Sequence, residues 1–427
     1  MRPSAWKYRH GVSGLLILLF AITYIDRVCI SVAGPRMQAD LHIDPVGWGW
    51  VTAIFTLAYG LFEIPTGALG DRVGPRRVLT RIVLWWSAFT ALTGAALTYP
   101  MLLVTRFLFG AGEAGAFPNA SIVVSRWFPQ TRRASMSGVL LMASQIGGGI
   151  APLLIVPIQM RYGWRASFIV FGVAGVLWAC VWYAWFRDSP KEKSGVSPQE
   201  LIELEIDSAS TTTHAPGLPW RLALGSESLL ATMGLAFCYV YVYTFYQTWL
   251  HTFLVNGRGF TEGGLRLSAF PYVLAAAANL GGGVASDALV RRVGRTWGRR
   301  VIGIVGLGLA ALFTIAVTQT HDRLPTIVLL SLVYGGITFQ QSGVFGVCLD
   351  LGGRHAGSIV GLMNTSAQAG GLLSSITYGY IVSRFHSYDA PFVPMAALLL
   401  IGTLLWFRVD AARPLSAPVD HAVAGAV

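Results

Sequence analysis

The sequence predicts an all-α membrane protein. Twelve transmembrane helices form two pseudo-symmetric six-helix bundles, with both termini cytoplasmic. Three observations carry this prediction. Of 427 residues, 54% are apolar and only 12% are Asp, Glu, Lys or Arg, against roughly 25% charged in a soluble domain. Apolar stretches long enough to cross a ~30 Å hydrocarbon layer recur along the chain. Two local patterns also repeat at an offset of about half its length. So few charges cannot coat a soluble protein of this size, which excludes a soluble enzyme, a secreted disulfide scaffold and a disordered chain.

The apolar spans of the first half are 12–33, 48–70, 79–98, 100–122, 134–160 and 166–186. Those of the second half are 228–254, 264–285, 300–318, 325–348, 356–382 and 391–409. They are long and continuous, where a barrel needs short alternating strands. The first span carries Asp26 and Arg27 and lacks a small-residue cleavage site, so it reads as a helix and not a removable signal. Between the halves, SPQELIELEID reads as an amphipathic helix on the cytoplasmic face and SASTTTHAPG as a flexible linker. The expected domains are 1–186, a linker at 187–227, and 228–427 with the tail.

The repeats support this division. The second span ends in Gly67-x-x-x-Asp71 followed by Arg72, Arg76 and Arg77; the eighth ends in Gly283-x-x-x-Asp287 followed by Arg291 and Arg292. The fifth carries Gly138-x6-Gln145-x-Gly147-Gly148, and the eleventh carries Gly361-x6-Gln368-x-Gly370-Gly371. With the N-terminus inside, 22 Lys and Arg fall in cytoplasmic segments against 7 in outer loops, as the positive-inside rule asks. That bias accounts for the net charge of +11 without a nucleic-acid partner. Cys29, Cys180, Cys238 and Cys348 all lie inside apolar runs and share no metal-ligand spacing, so each is expected to be a buried packing residue.

The loop GALGDRVGPRRV resembles the signature loop of the major facilitator superfamily. Tyr24-Ile25-Asp26-Arg27 on the first helix, RFLFGAGEAGAFPNA and RWFPQTRRASMSG around the fourth, and GGGIAPLL with YGWRASFIVFG on the fifth and sixth narrow the resemblance. Together they are similar to the anion:cation symporter family, whose members carry organic anions such as sugar acids. Departures are His251 in YQTWLHTFL, where the family usually has proline, Glu63 in LFEIPTG, where many relatives have glutamine, and Arg132, where an acidic residue is usual.

Charges inside the hydrocarbon are costly, at least ~2.5–3.5 kcal/mol each on insertion scales. The sequence keeps Asp26, Arg27, Glu63, Arg106 and Glu113, all in the N-terminal half. Arg106 and Glu113, seven residues apart, share a helical face, whereas neighbours Asp26 and Arg27 diverge by about 100°. Arg27 and Arg106 are the anion-binding candidates, since guanidinium stays charged and offers a bidentate fork. The resemblance favours Arg27 at the central cavity and places Arg106 nearer the coupling acids. Asp26 and Glu113 are the proton-coupling candidates. Each has access to burial and to a nearby arginine, which push a carboxylate's protonation in opposite directions.

Neutral groups complete the expected site: Tyr24, Tyr59, Gln145, Tyr243, Gln247, Asn364, Ser366 and Gln368, with Asn364 chosen by its family position. Glu63 reads as a gate or capping contact, or a third proton site. His251 reads as a solvated group near the outer end of its helix, and Trp249 as packing. Gly67, Asp71, Arg72, Arg76, Asp287 and Arg291 are expected to gate the cytoplasmic end. No cofactor and no metal site are expected.

The sequence therefore implies a secondary transporter, not an enzyme. It imports an organic anion, a monocarboxylate with a sugar-acid-like body, by proton symport and alternating access. The expected setting is the cell inner (plasma) membrane, crossed many times by a monomer. Two alternatives are a sodium-coupled anion symporter and a proton-coupled exporter of a metabolite or drug. Exporters usually carry a GPxxGG-like pattern where this chain has GGGIAPLL.

Overall fold

The computed structural model describes residues 7–193, 195–208, 225–352 and 356–413. Among these, helices form and no strand does. The N-terminal half comprises α1 (Tyr8–Asp40), α2 (Pro45–Val73), α3 (Pro75–Gly94), α4 (Tyr99–Glu113), α5 (Ala116–Trp127), α6 (Gln130–Tyr162) and α7 (Trp164–Trp185). A surface helix, α8 (Pro198–Ser208), follows. The C-terminal half comprises α9 (Glu227–Thr248), α10 (Ala269–Val293), α11 (Arg295–Thr318), α12 (Arg323–Gly352), α13 (Ala356–Phe385) and α14 (Phe392–Leu405).

Nine described segments are long and apolar enough by themselves to cross a membrane. Three further rods, α3, α13 and α14, complete the twelve. α3 opens on Arg76, Arg77 and Arg81, and α13 is rich in Gly, Ser, Thr, Asn and Gln because much of it lines the seam between the halves. α14 is short and runs on through a 3-10 turn to Arg408.

The fourth span is not the single helix expected over 100–122. It breaks at Ala114 and Gly115, where Gly115 takes φ +86°. Pro118 explains the break, since it has no N–H to give the Ala114 carbonyl and its ring crowds that oxygen. Glycine is required at 115 twice over: by the left-handed backbone, and because a Cβ there would stand 2.6 Å from the Thr66 side chain. Asn119 Nδ2 bridges the break, donating to the carbonyls of Gly115 at 2.8 Å and Thr66 at 3.2 Å. The break leaves Glu113 as the last residue of α4, at mid-bundle.

Three cysteines are buried as expected, but Cys180 is exposed on the outer face of α7. The apolar face of α7 turned toward lipid, with Ile169, Val173 and Leu177, holds it there. All four are free thiols.

The two halves meet tightly at the end opposite the arginine-rich loops. Arg36 of α1 pairs with Glu262 of the C-terminal half and donates to the Gln159 carbonyl. Gln38 Nε2 donates to Thr252 Oγ1 at 2.9 Å. A Cβ on Gly49 of α2 would stand 2.7 Å from the Ser375 carbonyl of α13, so the backbones touch there. Toward the arginine-rich end the halves part. One cavity of about 650 Å³ separates α2 from α13, and another of about 420 Å³ separates α6 from α10.

The first turn of α1 has no acidic residue of its own. Helix α8 supplies one. Glu200, 1% exposed, accepts the backbone N–H groups of Tyr8 and Arg9 at 3.2 Å each, so the linker caps the helix that carries Asp26 and Arg27. Glu203 accepts from Lys7 at 2.6 Å and from Arg9 at 2.8 Å. These bonds hold the Glu203 carboxyl below the usual carboxylate range. Its contribution to docking α8 is therefore present at neutral pH and lost only as pH falls through that lowered value. Glu200→Ala should destabilise the purified protein by about 2 kcal/mol, since it orphans two N–H groups and leaves buried Arg9 poorly paired. A thermal melt indistinguishable from wild type would remove this role. The linker beyond Ser208 up to Leu224, Arg354 and the tail after Arg413 lie outside the described residues.

Candidate functional site

The intramembrane charges converge at the centre of the N-terminal half. Arg27 Nε donates to Glu113 Oε1 at 2.5 Å, joining α1 to the broken end of α4. The pair is asymmetric, with the Arg27 side chain 24% exposed and Glu113 only 1%. Aromatic rings surround the Arg27 guanidinium: its carbon stands 4.7 Å from the Tyr59 ring centre and 5.5 Å from those of Tyr24 and Phe55. Such ring faces attract a cation without neutralising it.

Arg106, 2% exposed, lies between Phe55 and Phe109 at 5.0 and 4.5 Å, and its Nε has no hydrogen-bond partner. Asp26, also 2% exposed, points the other way from Arg27, toward Trp86 of α3 and within electrostatic reach of Arg106 and Glu113. Neither Asp26 oxygen is hydrogen-bonded, nor is Glu113 Oε2. The 100° step per residue thus sends one neighbour to the cavity and the other into the bundle.

A cavity of about 100 Å³ opens beside Arg27, and Arg106, Tyr59, Thr52 and Thr56 form its N-terminal wall. Tyr243, Gln247, Thr244, Thr248 and Gln368 form the C-terminal wall. Among the described residues that wall carries no cation. Gln368 also lines the 650 Å³ cavity, together with Asn364, Glu63 and Gly67, so it stands between the central site and the cavity toward the arginine-rich end. Gln145 lines the 420 Å³ cavity on the other side of the seam. Tyr24 meets Tyr243 hydroxyl to hydroxyl at 3.5 Å across the halves.

Other expected residues stand elsewhere. Ser366 donates to the Met233 carbonyl at 2.8 Å and spends its proton on helix packing. His251 is not solvated. It is fully buried, with Nδ1 2.8 Å from Ser31 Oγ and Nε2 2.8 Å from Ser268 Oγ. The closed seam between α1 and the segment before α10 shuts water out, which position along the helix alone did not reveal. Trp249 is packing, stacked on Tyr378 at 4.5 Å.

At the arginine-rich end, Arg76 is tied within its own half, its guanidinium on the Tyr183 carbonyl and its N–H on Asp188. Asp287 meets Arg299 at 3.3 Å, and Arg299 also reaches Asp350. Arg72 and Arg291 are exposed. The side chain of Asp71 lies outside the described residues. Among the described residues, the ion pair that joins the two halves is Arg36–Glu262, at the far end.

One group in the cavity wall and one buried behind it escaped the sequence reading. Phe55 lies between both arginines, and Tyr334 of α12 contacts Gln145 and Gln247. Phe55 sits one helical turn before Tyr59, a spacing that could have marked it. Tyr334 had no such signal among the many tyrosines of the apolar runs.

Twelve helices in two halves, with charges buried beside a cavity that opens to one end of the bundle, define a multi-pass membrane transporter. The chain belongs to the Major Facilitator Superfamily, whose model matches residues 16–375. It is similar to the probable sulfoacetate transporter SauU of Cupriavidus necator, 33% identical over 97% of both chains. It is also similar to the hexuronate transporter of Bacillus subtilis, 26% identical over 92% of both. Its fold matches a crystal structure of a bacterial homolog of the human lysosomal transporter Spinster, in an inward-facing and occupied conformation. That match has a TM-score of 0.77 at 20% identity and covers 95% of this chain and 97% of the other.

Proposed function

We propose that the protein imports an organic monoanion across the plasma membrane by proton symport and alternating access. The observation that carries this reading is the Arg27–Glu113 pair at the cavity wall. The cation best placed to clamp a carboxylate is occupied by a carboxylate of the protein itself. A proton on Glu113 releases Arg27 to the substrate, so proton and anion favour one another's binding. Asp26, dry and without hydrogen bonds, is a second proton site, because burying its charged form is expensive. With the arginine-rich end in the cytoplasm, the open cavities face inward, the state that releases substrate. Relatives named for sulfoacetate and hexuronate support an organic anion. The uncharged C-terminal wall favours one anionic group over two.

The charge balance gives the test. A monoanion entering with two protons moves one net positive charge inward. Crossing 100 mV with that charge contributes ~2.3 kcal/mol. Proteoliposomes carrying the purified protein, screened first for a monoanionic ligand by thermal shift against sugar acids, should take it up faster when valinomycin and potassium set the inside negative at equal pH. Sulfoacetate, a dianion, would cross with two protons at no net charge and cannot serve in this test. Uptake that ignores the potential removes the two-proton scheme. Uptake that requires sodium at constant pH replaces the proton with sodium.

A further inference from the structure

Tyr334 stands at the seam between the halves, fully buried. Gln247 Nε2 of α9 donates to its hydroxyl at 3.1 Å, and the hydroxyl donates in turn to Gln145 Oε1 of α6 at 3.4 Å. A phenol has one proton to give. With that proton committed to Gln145, the Tyr334 oxygen accepts from Gln247, and the Gln247 amide is turned with its NH2 toward α12. The ring has little freedom to swing away. It is stacked on Tyr246 at 4.2 Å and meets Tyr272 edge-on at 5.4 Å.

The consequence falls on the other amide atom. Gln247 Oε1 is buried and takes no hydrogen bond, on a half-buried residue that lines the same cavity as Arg27. The two threonines beside it do not supply a donor, and the Tyr243 hydroxyl is turned to that of Tyr24. Thr244 gives its proton to the Val240 carbonyl and Thr248 gives its own to the Thr244 carbonyl, both at 2.8 Å. Buried acceptors in native proteins are met, and the group free to meet this one is a donor on the ligand.

We infer that Tyr334 is a positioning residue for substrate specificity: it fixes the Gln247 amide so that the carbonyl reads a hydroxyl on the bound anion, and the site selects hydroxy-carboxylates over anions that lack a hydroxyl. The inference rests on the proposed anion-transport reading and deepens it. It separates a sugar-acid substrate from sulfoacetate, which has no hydroxyl to offer.

The test uses the full-length protein and calorimetry with D-gluconate, D-glucuronate, their singly deoxygenated analogues, and sulfoacetate. In wild type, removing one particular hydroxyl should weaken binding about tenfold or more, as when a built hydrogen bond is left unmade. In Tyr334→Phe the amide is free to flip, and that ratio should fall below about threefold while the parent acids still bind through Arg27. Gln247→Leu should erase the same ratio, and the double variant should add nothing further, since coupled residues are not additive. Should Tyr334→Phe fail to fold, Gln145→Leu frees the Tyr334 proton and tests the same relay. A ratio that survives Tyr334→Phe or Gln145→Leu overturns the inference, as does tighter binding of sulfoacetate than of either sugar acid. If none of these anions binds, or if binding survives Arg27→Ala, the anion-transport reading fails and takes the inference with it.

Discussion

Arg27→Ala is expected to abolish anion binding and uptake while the protein still folds and inserts. Arg27 and Arg106 both line the cavity, but Arg27 keeps part of its side chain exposed, whereas Arg106 is buried against Phe55 and Phe109. A hydrogen bond to a charged group contributes ~1.5–3 kcal/mol. Two such bonds from one guanidinium correspond to a loss of at least about a hundredfold in affinity. Removing Arg27 also leaves Glu113 buried without its partner, which would cost about 3–5 kcal/mol if the charge stayed. A proton on Glu113 relieves that cost, and the fold therefore survives. Arg27→Lys should restore little, because an ammonium cannot reproduce the fork. Calorimetry on both variants decides the matter, and near wild-type affinity in either one would falsify the assignment of the clamp.

The second large effect concerns coupling. Asp26→Asn and Glu113→Gln should each fail to accumulate substrate under a pH gradient, because an amide cannot release a proton. Both changes are nearly isosteric. Asn at 26 enters a site where neither carboxyl oxygen is bonded, and Gln at 113 can still accept from Arg27. Exchange of labelled for unlabelled substrate needs no net proton movement, so counterflow should survive in at least one variant. Glu113→Gln in addition weakens the hold on Arg27, so its anion affinity should lose most of its dependence on pH. If both variants still concentrate substrate with a pH gradient as the sole driving force, the coupling site lies elsewhere. Glu63, in the cavity toward the arginine-rich end, is then the next residue to replace.

Much of the candidate site was legible in the residues. Charges in an apolar run are rare enough that Asp26, Arg27, Arg106 and Glu113 identify themselves, and the structure brings all four to one centre. Gln247, Tyr59, Tyr243 and Gln368 also reach the central cavity. Ser366 was as polar as these and sits on the same helix as Gln368, yet it faces α9. Two positions along a helix are a turn of about 200°, enough to move a side chain from a cavity to a packing contact. Tyr334 shows the opposite case. Nothing in its neighbourhood marks it, and its role arises because Gln145 and Gln247, from different halves, meet at its hydroxyl.

By itself the sequence determined what is local. Apolar run length decides that a segment crosses the bilayer, charge bias predicts its orientation, and Pro118 with Gly115 contains the break in the fourth span. Tertiary structure decided what depends on how the helices are rotated and brought together. It paired Arg27 with Glu113 from 86 residues away, dried His251 between two serines, and set Asp287 against Arg299 of its own half. It also closed the seam at Arg36–Glu262 while leaving the arginine-rich end parted. The physical reason is that the 3.6-residue period fixes angles within one helix, whereas the facing of one helix toward another is fixed only when both are packed.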